Sequence, residues 1–240
     1  MKNPSIAILR WESGHVPAGL LQLEQMPGNS TNPASYPFPV RLVEVKGANV
    51  ETVITHPSQT LLADMTALAK DLVRHQGVCA ITTSCGFNAV FQEALSSAVP
   101  VPVFTSALLQ VPFVQRTIGR DRTVAVITAN SAALSERHLR ACGITGDMRV
   151  KVFGLETASE WKKIFDRPDQ PFDIDAVGGE IEAAAVSAVR SNPDIGAIVL
   201  ECTDLPPYAA RIRQAAGLPV FDFSSMMGLM SIALGGLSLY

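Results

Sequence analysis

Ile81-Thr82-Thr83-Ser84-Cys85-Gly86-Phe87-Asn88 is an apolar run of strand type that ends on small polar residues and a cysteine, with a helical pattern after it. A second stretch, Ile198-Val199-Leu200-Glu201-Cys202-Thr203-Asp204, repeats the arrangement. The two stand in register: 202 − 85 and 219 − 102 both give 117, so Pro102-Val103-Phe104 falls opposite Pro219-Val220-Phe221. Thr123-Val124-Ala125-Val126-Ile127-Thr128 echoes Ser5-Ile6-Ala7-Ile8-Leu9-Arg10 at a similar offset. One strand–cysteine–helix–strand unit used twice predicts a duplicated α/β chain, with one thiol from each copy facing a shared cleft.

The rest of the chain alternates in the same way. Strands are predicted at 5–10, 40–46, 78–83 and 101–104, with helices at 59–76, 88–98 and 106–117. Leu61, Met65, Leu68 and Leu72 recur at helical spacing and mark the first helix as amphipathic. The second half repeats with strands at 123–128, 149–153, 195–200 and 218–221 and helices at 131–142, 175–191 and 205–216; an uncharged tail helix closes the fold. Strands alternating with helices imply parallel sheets with crossover helices. The fold class is therefore α/β, with two pseudo-twofold-related lobes, each a mostly parallel sheet flanked by helices. Residues 1–117 plus 223–240 make the first lobe, carrying Cys85, and 118–222 make the second, carrying Cys202. Ligands of open α/β sheets bind beyond the carboxyl ends of the strands, where both cysteines fall.

Two segments interrupt the pattern. Residues 14–39 are rich in Pro, Gly, Asn and Ser and read as a long loop with one helical turn near 20–23. Such a loop is either a lid or substrate-facing insertion, or a surface or dimer-contact loop. Residues 156–174 form a polar, Pro-containing excursion.

Composition narrows the function classes. Of the 240 residues 48% are hydrophobic and 17% charged, and the net charge of −3 offers no basic footprint for nucleic acid or an anionic membrane surface. The apolar run at Ile6-Ala7-Ile8-Leu9 is too short for a signal-peptide core, and the 15 uncharged residues from Met226 to Tyr240 fall short of a spanning helix. The expectation is a soluble, cytoplasmic protein. Cys79, Cys85, Cys142 and Cys202 contain no C-x-x-C spacing, and His15, His56, His75 and His138 sit at no ligand spacing to them, so no metal site is expected. Free thiols are the reading.

A thiol titrates near pH 8.5 when unperturbed, and a helix N-terminus lowers that value. Cys85 and Cys202 both fall at strand-to-helix junctions, where backbone N–H groups favour an anion. A thiolate and a thiol on opposite sides of one carbon form a base and an acid for two-base proton exchange. The bland reading of a cysteine at a strand end is a small buried hydrophobe; it serves for Cys79 and Cys142, whereas matched positions in both repeats set Cys85 and Cys202 apart.

Thr83-Ser84-Cys85-Gly86-Phe87-Asn88 and Leu200-Glu201-Cys202-Thr203-Asp204-Leu205-Pro206 resemble the paired cysteine motifs of the aspartate/glutamate racemase superfamily. That superfamily includes cofactor-independent amino-acid racemases, hydantoin racemase, maleate isomerase and arylmalonate decarboxylase. The resemblance implies that Cys85 and Cys202 are catalytic. It sets Glu12, with Ser13, where racemases of the family have Asp-Ser-Gly, whose acid assists one cysteine. It implies that Thr83, Ser84, Asn88 and Thr203 bind the substrate carboxylate, with Thr128 and Ser131 in a further binding loop. Each hydroxyl has an ordinary helix N-cap as its alternative role. The chain departs from the pattern at Glu201, where Gly is usual, at Asp204, where glutamate racemases have His, and at Trp11, which adds bulk beside the first strand. Asp204 is counted with the substrate-binding residues; Glu201 and Asp204 have solvated strand-end carboxylates as their alternative. The resemblance implies a racemase or epimerase of an amino acid or related small carboxylate, with no cofactor, acting as a homodimer. The alternatives are a maleate-type cis–trans isomerase with a nucleophilic cysteine and a carboxylate-binding relative without turnover.

Overall fold

The computed structural model describes residues 5–236. In the first half, β1 (Ser5–Arg10), β2 (Val40–Glu44), β3 (Val78–Thr83) and β4 (Val103–Phe104) form a parallel sheet in the order β2-β1-β3-β4. In the second, β5 (Thr123–Thr128), β6 (Val150–Gly154), β7 (Ile195–Leu200) and β8 (Val220–Phe221) form another in the matching order β6-β5-β7-β8. The repeat extends to an irregularity. Ser5 pairs with Val78 but Ile6 with Ala80, and Thr123 pairs with Ile195 but Val124 with Ala197. The α/β fold expected from the duplicated strands is the one observed.

The helices are α1 (Ala18–Glu24), α2 (Gln59–Gln76), α3 (Gln92–Ala98), α4 (Val111–Ile118), α5 (Glu136–Ala141), α6 (Lys163–Asp166), α7 (Ile174–Ser191), α8 (Ala209–Ala216) and α9 (Phe223–Ala233). Local chemistry sets the ends of the long ones. The Ser58 side chain accepts from Leu61 N–H to start α2, and Gly77 at φ +66° ends it. The buried stripe of α2 is Leu61, Met65, Ala69 and Leu72, with Ala69 rather than Leu68 completing the inward face. Asp173 caps α7, whose Val177, Ile181, Ala185 and Ala188 are buried at helical spacing.

Period-two alternation decides what each sheet face covers. Ile6, Ile8, Ala80 and Phe104 pack with Phe223, Met226 and Met227 of α9, while Ala7, Leu9 and Ile81 turn to the larger core. In β5, Val124, Ala125, Val126 and Ile127 are all fully buried, as a parallel strand covered on both faces requires.

Several boundaries differ from the sequence reading. A 3₁₀ segment, Gly86–Phe91, precedes α3; others at Ala107–Gln110 and Pro206–Tyr208 precede α4 and α8. The helix predicted at 131–142 shortens to α5, because His138 Nδ1 accepts from Ser135 N–H and starts the helix there. The loop at 14–39 holds α1 and a 3₁₀ turn, Pro33–Ser35, and a π turn at Glu51–Thr55 has no counterpart in the sequence reading. The tail helix predicted to the end of the chain runs over Phe223–Ala233, and residues 1–4 and 237–240 lie outside the described residues. Among the described residues no helix is long and apolar enough to cross a membrane.

Because Phe223 fills the face of the first sheet with no exposure, Phe223→Ala should lower unfolding free energy by about 3–5 kcal/mol, read from guanidinium midpoints. A loss under about 1 kcal/mol would show that α9 does not seal that face.

Candidate active site

Both sheets point the carboxyl ends of β1, β3, β5 and β7 at one place. Beyond the strands, Ser84 N–H donates to Leu9 O (2.9 Å) and Glu201 N–H to Ile127 O (2.8 Å), one extra rung in each half at the same relative position. Those rungs bring Cys85 and Cys202 to the rim, where both line one cavity with Trp11 and Ala129, which follow β1 and β5. Its volume is about 30 Å³, room for one or two waters. The walls come from outside the repeat. Val16, Leu20 and Glu24 descend from the first-half insertion, Val50 and Ile54 from the π turn, and Trp161 and Ile164 from the second-half excursion. Gln22 exchanges two hydrogen bonds with the backbone of Phe172, Ala18 N–H donates to Pro168 O, and the Phe172 ring lies where a side chain on Gly19 would be. The insertions are thereby clasped across the cavity.

The two cysteine motifs also bind each other. Thr203 Oγ1 donates to Ser84 O. Glu201, fully buried, lays its carboxyl over Gly86: a Cβ there would come within 2.0 Å of Glu201 Oε1 and 2.5 Å of its carbonyl oxygen. Glu201 Oε2 accepts from Thr128 Oγ1 (2.7 Å), and Oε1 has no hydrogen-bond partner among the described residues.

Burial dominates the electrostatics. It pushes the Cys85 thiol up, the Glu201 and Asp204 carboxyls push it further, and one N–H from Phe87 pulls the other way. Cys202 is raised likewise by burial, then by Asp204 and Glu201, against one N–H from Asp204. The expectation that helix N-termini depress both thiols is corrected. A short 3₁₀ segment follows each motif, a single N–H reaches each sulfur, and desolvation outweighs it. The carboxyls are raised too. Burial brings Glu201 to about 7 despite the Thr128 hydroxyl, and burial with the Glu24 charge brings Asp204 to about 7. Asp204 Oδ2 lies 3.9 Å from Cys202 Sγ, so this thiol has an acid–base partner that changes charge near neutrality.

Of the expected site residues, Cys85, Cys202, Ser84, Thr203 and Asp204 line the cavity. The others do not. Glu12 Oε2 accepts from Gly47 N–H (2.9 Å) and Ser13 is exposed and donates to Glu44, because the chain turns outward directly after Trp11. Thr83 is committed to Thr105 O (2.8 Å) and Cys85 O (3.0 Å), and Thr128 to Glu201. Ser131 is held by Glu156 through its N–H and hydroxyl. Asn88 is buried in the 3₁₀ segment behind Cys85, its N–H donating to Cys85 O. These four hold the loops rather than face the cavity. Trp11 brings more than the bulk its sequence position suggests, for its buried Nε1 has no partner among the described residues. Glu24 and Trp161 were missed; they lie in segments without a repeat equivalent, so no register singles them out. Among the described residues no group of three or more His, Cys, Asp or Glu is arranged to hold a metal ion.

Two outcomes follow. Unfolded Glu and Asp titrate at 4.5 and 3.8, whereas Glu201 and Asp204 do so at about 7. At these two positions the folded chain keeps protons that the unfolded chain has released, so their contribution to stability falls as pH rises from about 4 to 7 and levels off above that. Glu201→Gln should flatten that decline in urea midpoints taken from pH 5 to 7.5; an unchanged slope would count against a buried, raised Glu201. Gly86→Ala should cost about 1–3 kcal/mol. Adding Glu201→Ala should recover part of the loss, not all, since the carbonyl oxygen stays close.

The profile of the Asp/Glu/hydantoin racemases matches residues 31–226. A dimethylsulfoniopropionate lyase of Durusdinium sp. clade D is 30% identical over 220 residues, 87% of this chain and 71% of that protein. A dimethylsulfoniopropionate lyase of Emiliania huxleyi is 30% identical over 231 residues, 92% of this chain, but the chain spans only 57% of its length. Allantoin racemase from Pseudomonas fluorescens shares the fold, with a TM-score of 0.64 at 18% identity over 98% of this chain and 93% of that one. With both cysteine motifs inside the matched span, the chain belongs to the Asp/Glu/hydantoin racemase family.

Proposed function

We propose that the chain is an enzyme that removes the proton next to a substrate carboxylate, with Cys85 and Cys202 as the proton-transferring pair, and that it goes on to expel an onium group from the adjacent carbon. The observation that carries this is the lining of the cavity: two thiols, the carboxyls of Glu24, Glu201 and Asp204, the indoles of Trp11 and Trp161, and, among the described residues, no Lys, Arg or His. A dicarboxylate would meet like charge on several sides. A zwitterion with a sulfonium or quaternary ammonium centre would set its cation against carboxylates and indole faces and its own carboxylate against the Trp11 N–H and the Ser84 hydroxyl. The lyases at 30% identity, named for a sulfonium propionate, support the same choice.

The step balances without a co-reactant. A thiol passes its proton to a neighbouring carboxylate, as Cys202 can to Asp204, and the thiolate takes the proton from the α carbon. The C–H electron pair becomes the carbon–carbon double bond, and the C–S bond breaks with its pair on sulfur. The products are an acrylate and a neutral dialkyl sulfide. The other thiol, still protonated, donates toward the substrate carboxylate as it gathers charge.

A second reading is racemisation, favoured by one observation: the thiols come from matching positions of the two halves, as proton delivery to the opposite face of one carbon requires.

The test is incubation with dimethylsulfoniopropionate in heavy water, beside a panel of amino acids and hydantoins. The expected result is sulfide release that drops by about 100-fold or more in Cys85→Ser and in Cys202→Ser. Deuterium entry at an α carbon without release would select racemisation. Turnover that survives both replacements would remove the cysteine pair from the mechanism.

A further inference from the structure

The insertion at 14–39 does more than wall the cavity. Its Asn29 is fully buried, and Nδ2 donates to Asp204 Oδ1 at 2.9 Å. The amide is held in that orientation from behind: its Oδ1 accepts from Thr31 N–H (2.9 Å) and Thr31 Oγ1 (2.8 Å), which leaves the NH₂ facing Asp204. The flanking backbone is pinned as well. Gly28, at φ +90°, lies against Pro207, its N–H donates to Ser35 Oγ, and its carbonyl accepts from Ser224 Oγ. Asp204 is left with one oxygen on Asn29 and the other, Oδ2, on the Cys202 side.

We infer that Asn29 is a positioning residue that holds the Asp204 carboxyl with one oxygen turned to the Cys202 thiol. The assignment rests on the proposed role of Cys202 in proton transfer. A carboxyl free to rotate would turn its oxygens in and out of reach of the thiol; an amide clamped by Thr31 holds one orientation. An N–H donor to the charged form also draws the carboxyl down, against the burial and the Glu24 charge that raise it. The groups facing Asp204 are Glu24 of α1 with its partner Arg10, the Cys202 and Cys85 thiols, Glu201 and Tyr208. Among the described residues, Asn29 and Cys202 are the side chains that hydrogen-bond its carboxyl. Asn29 has no counterpart in the second half, so its contact is an asymmetric addition to a symmetric pair.

The test reads the thiol directly and needs no substrate. Iodoacetamide alkylation of Cys202, resolved from the other cysteines by peptide mass spectrometry, is followed from pH 5 to 9 in the intact protein. The lower inflection of that profile reports the first proton lost by the Cys202–Asp204 pair. In Asn29→Ala it should move up by about one unit, the scale of one hydrogen bond to a charged group. Asn29→Asp keeps the size and the acceptor toward Thr31 but replaces the donor with a second carboxyl, and should move the inflection further up. Melting curves establish that each variant is folded. An unmoved inflection in both folded variants, or a parent profile without a lower inflection, overturns the assignment. If the inflection moves while Cys202→Ser keeps full turnover, the proposed function fails and the Asn29 assignment stands.

Discussion

The structure depends on the contact between its two cysteine motifs. Glu201 lies across Gly86, and Thr203 hydrogen-bonds the carbonyl of Ser84. Each half carries its own sheet, but the shared cavity takes a thiol from both. A buried carboxyl is an expensive way to join two loops, since its desolvation is only partly offset by the Thr128 hydroxyl. It leaves no room for a side chain at residue 86 without a shift of Glu201, and it places ionisable oxygen beside sulfur. The same contact therefore sets the packing, the separation of the lobes and the protonation of the site.

The charge pattern follows. Burial raises both thiols and both carboxyls, so ionising any one of them opposes ionising the next. Such a cluster carries part of its negative charge at neutral pH, shared among its members, and trades protons within itself. This differs from activation by a helix dipole, which would produce a standing thiolate regardless of its neighbours. It also makes the electrostatic welcome given to a ligand depend on the ligand's own sign.

How much was legible in the sequence follows from which features repeat. The sheets, their parallel sense and the two thiols were legible, because strand periodicity and the 117-residue offset are written twice. The offset even carries the shared irregularity of β1 with β3 and β5 with β7. The hydroxyls were half legible. Thr83 and Thr128 sit where a ligand would be expected, but each spends its hydroxyl proton on the chain's own carbonyls or carboxyl, and no sequence pattern reports which partner a hydroxyl will find. Glu12 was placed by motif position, whereas the turn after Trp11 exchanges the acid for the indole. Asn29, Glu24 and Trp161 were not legible: each sits in an unrepeated segment, and each reaches the site through tertiary packing rather than local periodicity.

The clasp of Gln22 and Gly19 on Phe172 has a kinetic meaning. It joins an arm of one half to an arm of the other beside a chamber of about 30 Å³. A ligand larger than that chamber needs those arms to part, which breaks the Gln22–Phe172 hydrogen bonds and slides an aromatic ring off a helix. For the reaction proposed above, the tempo of that parting would cap turnover however fast the proton transfers were.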